Sequence, residues 1–347
     1  MARSAIVQVQ MGSMGSVRLA AGLAIVTMLA ASGCGSSTAP TPTTTGAVPT
    51  AAKTAPAHTA AATAVSVHRI GTLPAPVQLP AVASFTTGSA LVMGGLDAAD
   101  GSVDRIVRVD IRGRAADIGR LPTALHDAAA AAVGSSAYFI GGGNAGAGHS
   151  SILRVRRDGT TQPAGALPVG ASDVEAVAVG GSVYVVGGYT GAVPLRSIFA
   201  ISPGGRVRAV AEMPYPLRYA AVAAVGGRVL IAGGTTGTTA VRTILSFDPA
   251  TGRVRRIGSL PFPLTHAAGA TLNGRLLVIG GRSDSLTGQH HTILAVDPVT
   301  GAVRQAGSLP GALSDAGAAS LGNRVLVLGG RDTTGRVHAD ILSVTAR

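Results

Sequence analysis

The stretch LTHAAGATLNGRLLVIGG, residues 264–281, reads as two short strands joined at Asn-Gly, a dipeptide suited to the tight turn of a hairpin. Reading outward from it, a variable loop leads to HTILAVD, the turn PVTG and a last extended segment, AVRQAGSL. That is four strands in residues 261–308, with no helical period between them. The closing glycine pair recurs, its second glycine falling at Gly95, Gly143, Gly188, Gly234, Gly281 and Gly330, with spacings of 48, 45, 46, 47 and 49 residues. A Leu-Pro or Met-Pro marker keeps step about 20 residues earlier, with prolines at 74, 122, 168, 214, 261 and 310.

Six units of four strands imply an all-β, six-bladed β-propeller of antiparallel blades spanning residues 67–347. The last unit stops after its third strand, ADILSVTAR, while SVHRIGTLP ahead of the first unit matches fourth strands such as RVRRIGSLP. An N-terminal strand at residues 67–73 is therefore expected to close the last blade and protect two sheet edges. The glycine pairs are expected to let the backbone leave the sheet at positive φ and to let neighbouring blades approach near the axis.

The glycine pair and its period resemble the kelch repeat. The resemblance covers residues 67–347 and implies the same propeller fold. The outer-strand tryptophan usual in kelch units is absent, and Val210 and Ile257 stand near its place. The second-strand tyrosine survives as Tyr138 and Tyr184, with Leu230 and Leu277 elsewhere. Leu125, Leu217, Leu264 and Leu313 replace an arginine that often follows the proline. Aliphatic side chains can fill the same core, so the fold carries over; the ligand chemistry of kelch proteins does not.

The chain has 347 residues, 46% apolar and 13% charged, with a formal charge of +12. Only one of its 28 basic residues is lysine, Lys53, and the arginines are scattered rather than gathered with aromatics on one element. This argues against nucleic acid as a partner. At the N-terminus, Arg3 and Arg18 precede the run LAAGLAIVTMLAA, 13 residues long, which is short for a membrane span and has the size of a signal-peptide core. It leads into ASGC, ending at Cys34, the sole cysteine. This resembles the lipobox of bacterial lipoproteins, with Ala31 where leucine is commonest; the resemblance implies export and a lipid-bearing Cys34. Residues 1–33 then form the signal, and residues 34–66, rich in Thr, Ala and Pro, a tether with no hydrophobic period.

Several motifs fail on context. GGGNAG at residues 141–146 fits a dinucleotide fingerprint, but a strand follows it where a helix is required. The adjacent His290 and His291 point to opposite faces of a strand start. A copper radical site like that of the kelch-bearing galactose oxidase needs a cysteine in the propeller, and there is none.

One constellation remains. The fifth residue after each repeat proline reads Leu79, Asp127, Asp173, Tyr219, His266 and Asp315. The seventh is Ala or Gly except for Glu175, one of only two glutamates. Strand parity places positions five and seven on one face. They are expected to ring one mouth of the channel, with Gln78, His126, Ser172, Arg218, Thr265 and Ser314 beside them. Tyr189, Tyr215 and Phe262 belong to the same end, where aromatic faces could grip a sugar or a cation.

The leading expectation is an exported, lipid-anchored monomer on the extracytoplasmic face of the cell membrane, binding a small ligand or an envelope protein through this mouth. No cofactor is implied beyond Ca²⁺, which an acidic mouth could hold. The alternative is a carbohydrate-active enzyme, similar to the kelch-type sialic acid epimerases, with Glu175 and neighbouring Asp or His as acid and base. A purely structural envelope protein would show no specific ligand.

Overall fold

The computed structural model describes residues 64–347 apart from 145 and 146. The expected signal segment, Cys34 and nearly all of the tether lie outside the described residues. Six antiparallel sheets of four main strands follow one another as blades. The first five take residues 81–120, 126–166, 175–212, 221–259 and 268–308 in order. The sixth is built from Gly317–Leu321, Arg324–Leu328 and Asp340–Ala346, with Val65–Thr72 as its outermost strand.

That outermost strand pairs antiparallel with the chain's last strand, from Val65 opposite Ala346 to Thr72 opposite Asp340. It begins two residues before the expected boundary because Val65 is buried in the core between blades 5 and 6. The two ends of the propeller are thereby joined, and the free edges that each would otherwise offer are paired.

The apolar core is divided among six clusters, one between each pair of neighbouring blades. Strand alternation supplies them, since each radial sheet sends its two sets of side chains to opposite neighbours. Val210 packs against the cluster between blades 3 and 4, and Ile257 against that between blades 4 and 5, so aliphatics fill the interior that lacks tryptophan. Tyr184 meets Phe247 edge-on, with ring centroids 5.5 Å apart. The leucine or methionine before each repeat proline is buried throughout, at Leu73, Leu121, Leu167, Met213, Leu260 and Leu309.

The glycine pairs join the blades. In every pair the second glycine donates its N–H to the carbonyl three residues past the next repeat proline. The acceptors are Leu125, Ala171, Leu217, Leu264, Leu313 and Val77, at 2.8–3.0 Å. The first glycine faces the same oxygen so closely that a Cβ on Gly233 would stand 2.3 Å from the Leu264 carbonyl. In blade 2 the pair is Gly141–Gly142, not Gly142–Gly143: Gly142 has φ +95° and makes the link to Ala171. The third glycine continues the strand Ser136–Asn144 and pairs with Gly148, so the sequence run of three glycines hid the register by one residue.

Gly233 and Gly227 both hold positive φ, +66° and +76°, but only Gly233 has neighbours; nothing lies within 4 Å of a Cβ on Gly227. Gly227→Ala should therefore cost about 1 kcal/mol from backbone strain alone, and Gly233→Ala roughly twice that or more. The shift in urea midpoint of the two variants measures the difference.

Candidate functional site

The six residues at position five form a ring, for a reason other than strand parity. Five precede their innermost strands and Asp127 is skipped by the pairing inside the strand His126–Val133; Leu79, Asp127, Asp173, Tyr219, His266 and Asp315 all hold left-handed backbone, with φ between +53° and +61°. The turned backbone aims each N–H at the carbonyl of the same position in the preceding blade. Five of the six links are hydrogen bonds: Leu79 to Asp315, Asp127 to Leu79, Asp173 to Asp127, His266 to Tyr219 and Asp315 to His266, at 2.7–3.4 Å. The missing link is from Tyr219 to Asp173, between blades 3 and 4. Aspartate tolerates left-handed backbone better than most side chains. Three of the four carboxylates thus have a backbone reason to be where they are.

Glu175 has no such reason. It opens the innermost strand Glu175–Val179 of blade 3, where the equivalent Ala81, Ala221 and Ala268 sit in the tight cores between blades. By alternation it shares a face with Val177 and Val179, which pack into the cluster between blades 3 and 4. A long polar side chain thus stands between the two blades whose ring link is open. Protein encloses it, and the surface it keeps faces two internal spaces.

The ring encloses the smaller space, about 60 Å³, lined by Asp127, Asp173, Glu175, Tyr219, His266 and Asp315 among others. Below it the innermost strands of all six blades surround a channel of about 340 Å³. Small and aliphatic residues line that channel, Ala128–Ala132, Val222, Ala223 and Ala224 among them, and Glu175 is its one ionisable lining residue.

Charge in the ring is compensated from within. Arg218 Nη1 donates to Asp173 Oδ2 at 2.8 Å, and its guanidinium lies over the Tyr189 ring, 4.5 Å from the centroid. Tyr219 stacks on His266 at 3.8 Å and donates its hydroxyl to Asp127 Oδ2 at 3.3 Å. Arg282 Nη2 donates to His266 Nε2 at 2.8 Å, so the imidazole proton belongs on Nδ1, which faces Thr265 Oγ1 at 3.1 Å. Ser314 donates to Asp315 Oδ2, while Asp315 Oδ1 is buried without a partner, 3.9 Å from His266 Nε2 and 4.0 Å from Arg282.

Burial pushes the Asp127 carboxyl well above its ordinary value, with Asp173 and Asp315 adding to the shift, and burial raises Asp315 too. It lifts Glu175 from 4.5 to about 8, helped by the charge of Asp173. Burial, then Arg282 and Arg218, hold His266 well below its ordinary range, so that it stays neutral. Among the described residues, no three His, Cys, Asp or Glu side chains are grouped so as to hold a metal ion.

Of the other expected site residues, Tyr189 belongs to the rim through Arg218. Tyr215 does not line either space: it packs against the cluster between blades 3 and 4, with its hydroxyl buried and unpartnered. Phe262 stacks on His290, 4.3 Å between centroids, beside the cluster of blades 4 and 5. Arg282 and Arg331 were missed by the sequence reading. Each follows a glycine pair and bridges to position four of its own blade, Thr265 and Ser314. Reading the residue after every glycine pair as a further ring would have found them.

The kelch motif matches residues 170–214 and 216–261, which are the third and fourth units in the phase set by the repeat prolines. The chain is a kelch-repeat β-propeller. The solved structure of YjhT resembles this kelch propeller with a TM-score of 0.70 at 14% identity, covering 80% of this chain and 97% of that one. At that identity the likeness is one of fold. No curated protein matches the kelch propeller in sequence.

A carboxyl whose pKa is raised on folding binds its proton more tightly in the folded state, so its contribution is full below the unfolded value. For Glu175 it is lost as pH rises from about 4.5 to about 8. Glu175→Gln should remove a fall in stability over that window on the order of a few kcal/mol, leaving the slopes from Asp127 and Asp315, which have the same sign. Urea unfolding of both proteins at pH 5 and pH 8 checks this.

Proposed function

We propose that this propeller is an exported, lipid-anchored binding module that holds an anionic or acceptor-rich ligand at the rim of its ring. The support for export and anchoring is the basic Arg3 and Arg18, the 13-residue apolar run and the sole cysteine, Cys34. The acyl-bearing cysteine and the tether that follows it would hold the domain at the outer face of the cell membrane.

One contrast carries the choice of ligand. Side-chain exposure is 8% for Asp127, 4% for Asp173 and 3% for Asp315, against 24% for Arg218, 21% for Arg282 and 25% for Arg331. These three acids are sealed behind the ring and the arginines around it reach solvent, with Arg331 standing 3.4 Å from the exposed carboxylate of Asp100. Guanidinium groups match carboxylates and phosphates in a planar fork, and Tyr189 beneath Arg218 adds an aromatic face. For a ligand at the rim, binding is favoured over acid and base catalysis because the ring cavity that separates it from Glu175, about 60 Å³, is far below the 300–1,000 Å³ of a small-molecule site. A sugar at the rim therefore has no path to Glu175 through the ring.

Cys34→Ser should move the protein out of the membrane fraction or leave its signal segment uncleaved, as read by fractionation and intact mass. For the rim, glucuronate should raise the melting temperature of the full chain where glucose does not. Arg282→Gln combined with Arg331→Gln should remove that difference.

A further inference from the structure

The channel below the ring is a room with one ionisable fixture, Glu175. Its volume, about 340 Å³, falls within the range of ligand sites, and the ring of backbone hydrogen bonds narrows one end. The other end is bordered by the tight turns of the innermost hairpins. Glycines in those turns, Gly134, Gly180, Gly181, Gly226, Gly227 and Gly322, have nothing within 4 Å of a Cβ and place no side chain over that end.

The walls have a mixed character. Each innermost strand ends its sheet, so its second backbone edge faces the axis without a strand partner. Small side chains leave those carbonyls accessible, while Ser84, Thr271 and Ser320 add hydroxyls to the lining. Two of the polar groups are already spoken for: Thr271 Oγ1 donates to the Ala224 carbonyl at 2.7 Å, and Ser320 Oγ accepts from the Thr271 N–H at 2.8 Å. The rest of the wall offers strand-edge carbonyls and N–H groups in alternation, with alanine methyls between them.

Glu175 stands at the ringed end of this room, enclosed by protein, and no hydrogen bond to its carboxyl is formed among the described residues. The carboxyl keeps surface toward the channel and the ring cavity, and it occupies a position where every other blade keeps Ala or Gly. The backbone that explains the three aspartates of the ring does not explain it. We propose that the channel is a binding site for a linear aliphatic diamine, entering from the hairpin-turn face, with one ammonium paired to Glu175 and the other donating to the strand-edge carbonyls.

The proton balance follows from the pairing. The free protein carries Glu175 as the neutral acid at pH 7, and the diamine arrives with both nitrogens protonated. On binding, the carboxyl gives its proton to solvent and the ammonium keeps its own, forming the ion pair. Asp173, Asp127 and Asp315 face Glu175 across the ring cavity, and Tyr219 and His266 complete that side, with Arg218 held on Asp173. None of these groups lines the channel itself. The site is separate from the rim and does not depend on where the protein resides.

Calorimetric titration of the full chain with 1,4-diaminobutane, against 1,4-butanediol as the uncharged counterpart, tests it. The diamine should bind at least tenfold more tightly than the diol and release close to one proton at pH 7, read from buffers of different ionisation heat. Its affinity should rise about tenfold per pH unit up to about pH 8 and then level off. Glu175→Gln should weaken binding tenfold or more without lowering the melting temperature. Ser84→Phe, which fills the channel away from Glu175, should abolish binding while keeping the Glu175-dependent fall of stability with pH. Equal binding of diol and diamine, no proton release, unchanged affinity in Glu175→Gln, or binding that survives Ser84→Phe would each overturn the proposal. So would the absence of any diamine binding, which would leave a channel filled by water alone.

Discussion

The structure depends on a hydrogen bond made six times: the N–H of the second glycine in each pair donating to a carbonyl of the next blade. Each blade is a small sheet that cannot bury its faces alone, so its stability resides in the clusters it shares with its neighbours. The glycine link sets the distance and angle at which those clusters form. A first glycine with no Cβ is needed because the accepting oxygen lies where a Cβ would be, and positive φ is needed to turn the chain away from the sheet. Closure by Val65–Thr72 then gives the sixth blade the same surroundings as the other five.

Near the axis the same sixfold geometry produces a second ring of backbone contacts, at the left-handed residues of position five. Its side chains inherit their places from that backbone, which accounts for aspartate at three of the six sites. The consequence is an inversion of charge: the carboxylates are drawn inward, where burial raises Asp127 and Asp315, and the arginines of the neighbouring layer reach the surface. A mouth that looks acidic in the sequence turns its ring aspartates away from solvent and the neighbouring arginines toward it.

Glu175 departs from this symmetry. It places a long ionisable side chain at a position of tight packing, and the ring link between the blades on either side of it is the one that does not form. Local symmetry breaking of this kind is a common signature of sites, because packing alone would favour alanine there. It also connects the two internal spaces, since the same carboxyl borders the ring cavity and the channel.

The sequence by itself determined the blade count, the four-strand unit, the closing strand and the convergence of position five. These follow from spacing: glycine pairs and repeat prolines recur in step, and a fixed period in extended segments admits few folds. It also singled out Glu175, as an exception within a pattern of Ala and Gly. The register of Gly141–Gly142 was hidden, because three consecutive glycines offer no side chain to mark which pair makes the turn. Only the tertiary structure decided which charges face water, that Tyr215 belongs to a core, and that Arg282 and Arg331 belong to the rim. Those outcomes depend on left-handed backbone at position five and on contacts between blades about fifty residues apart in sequence, and spacing along one chain carries neither.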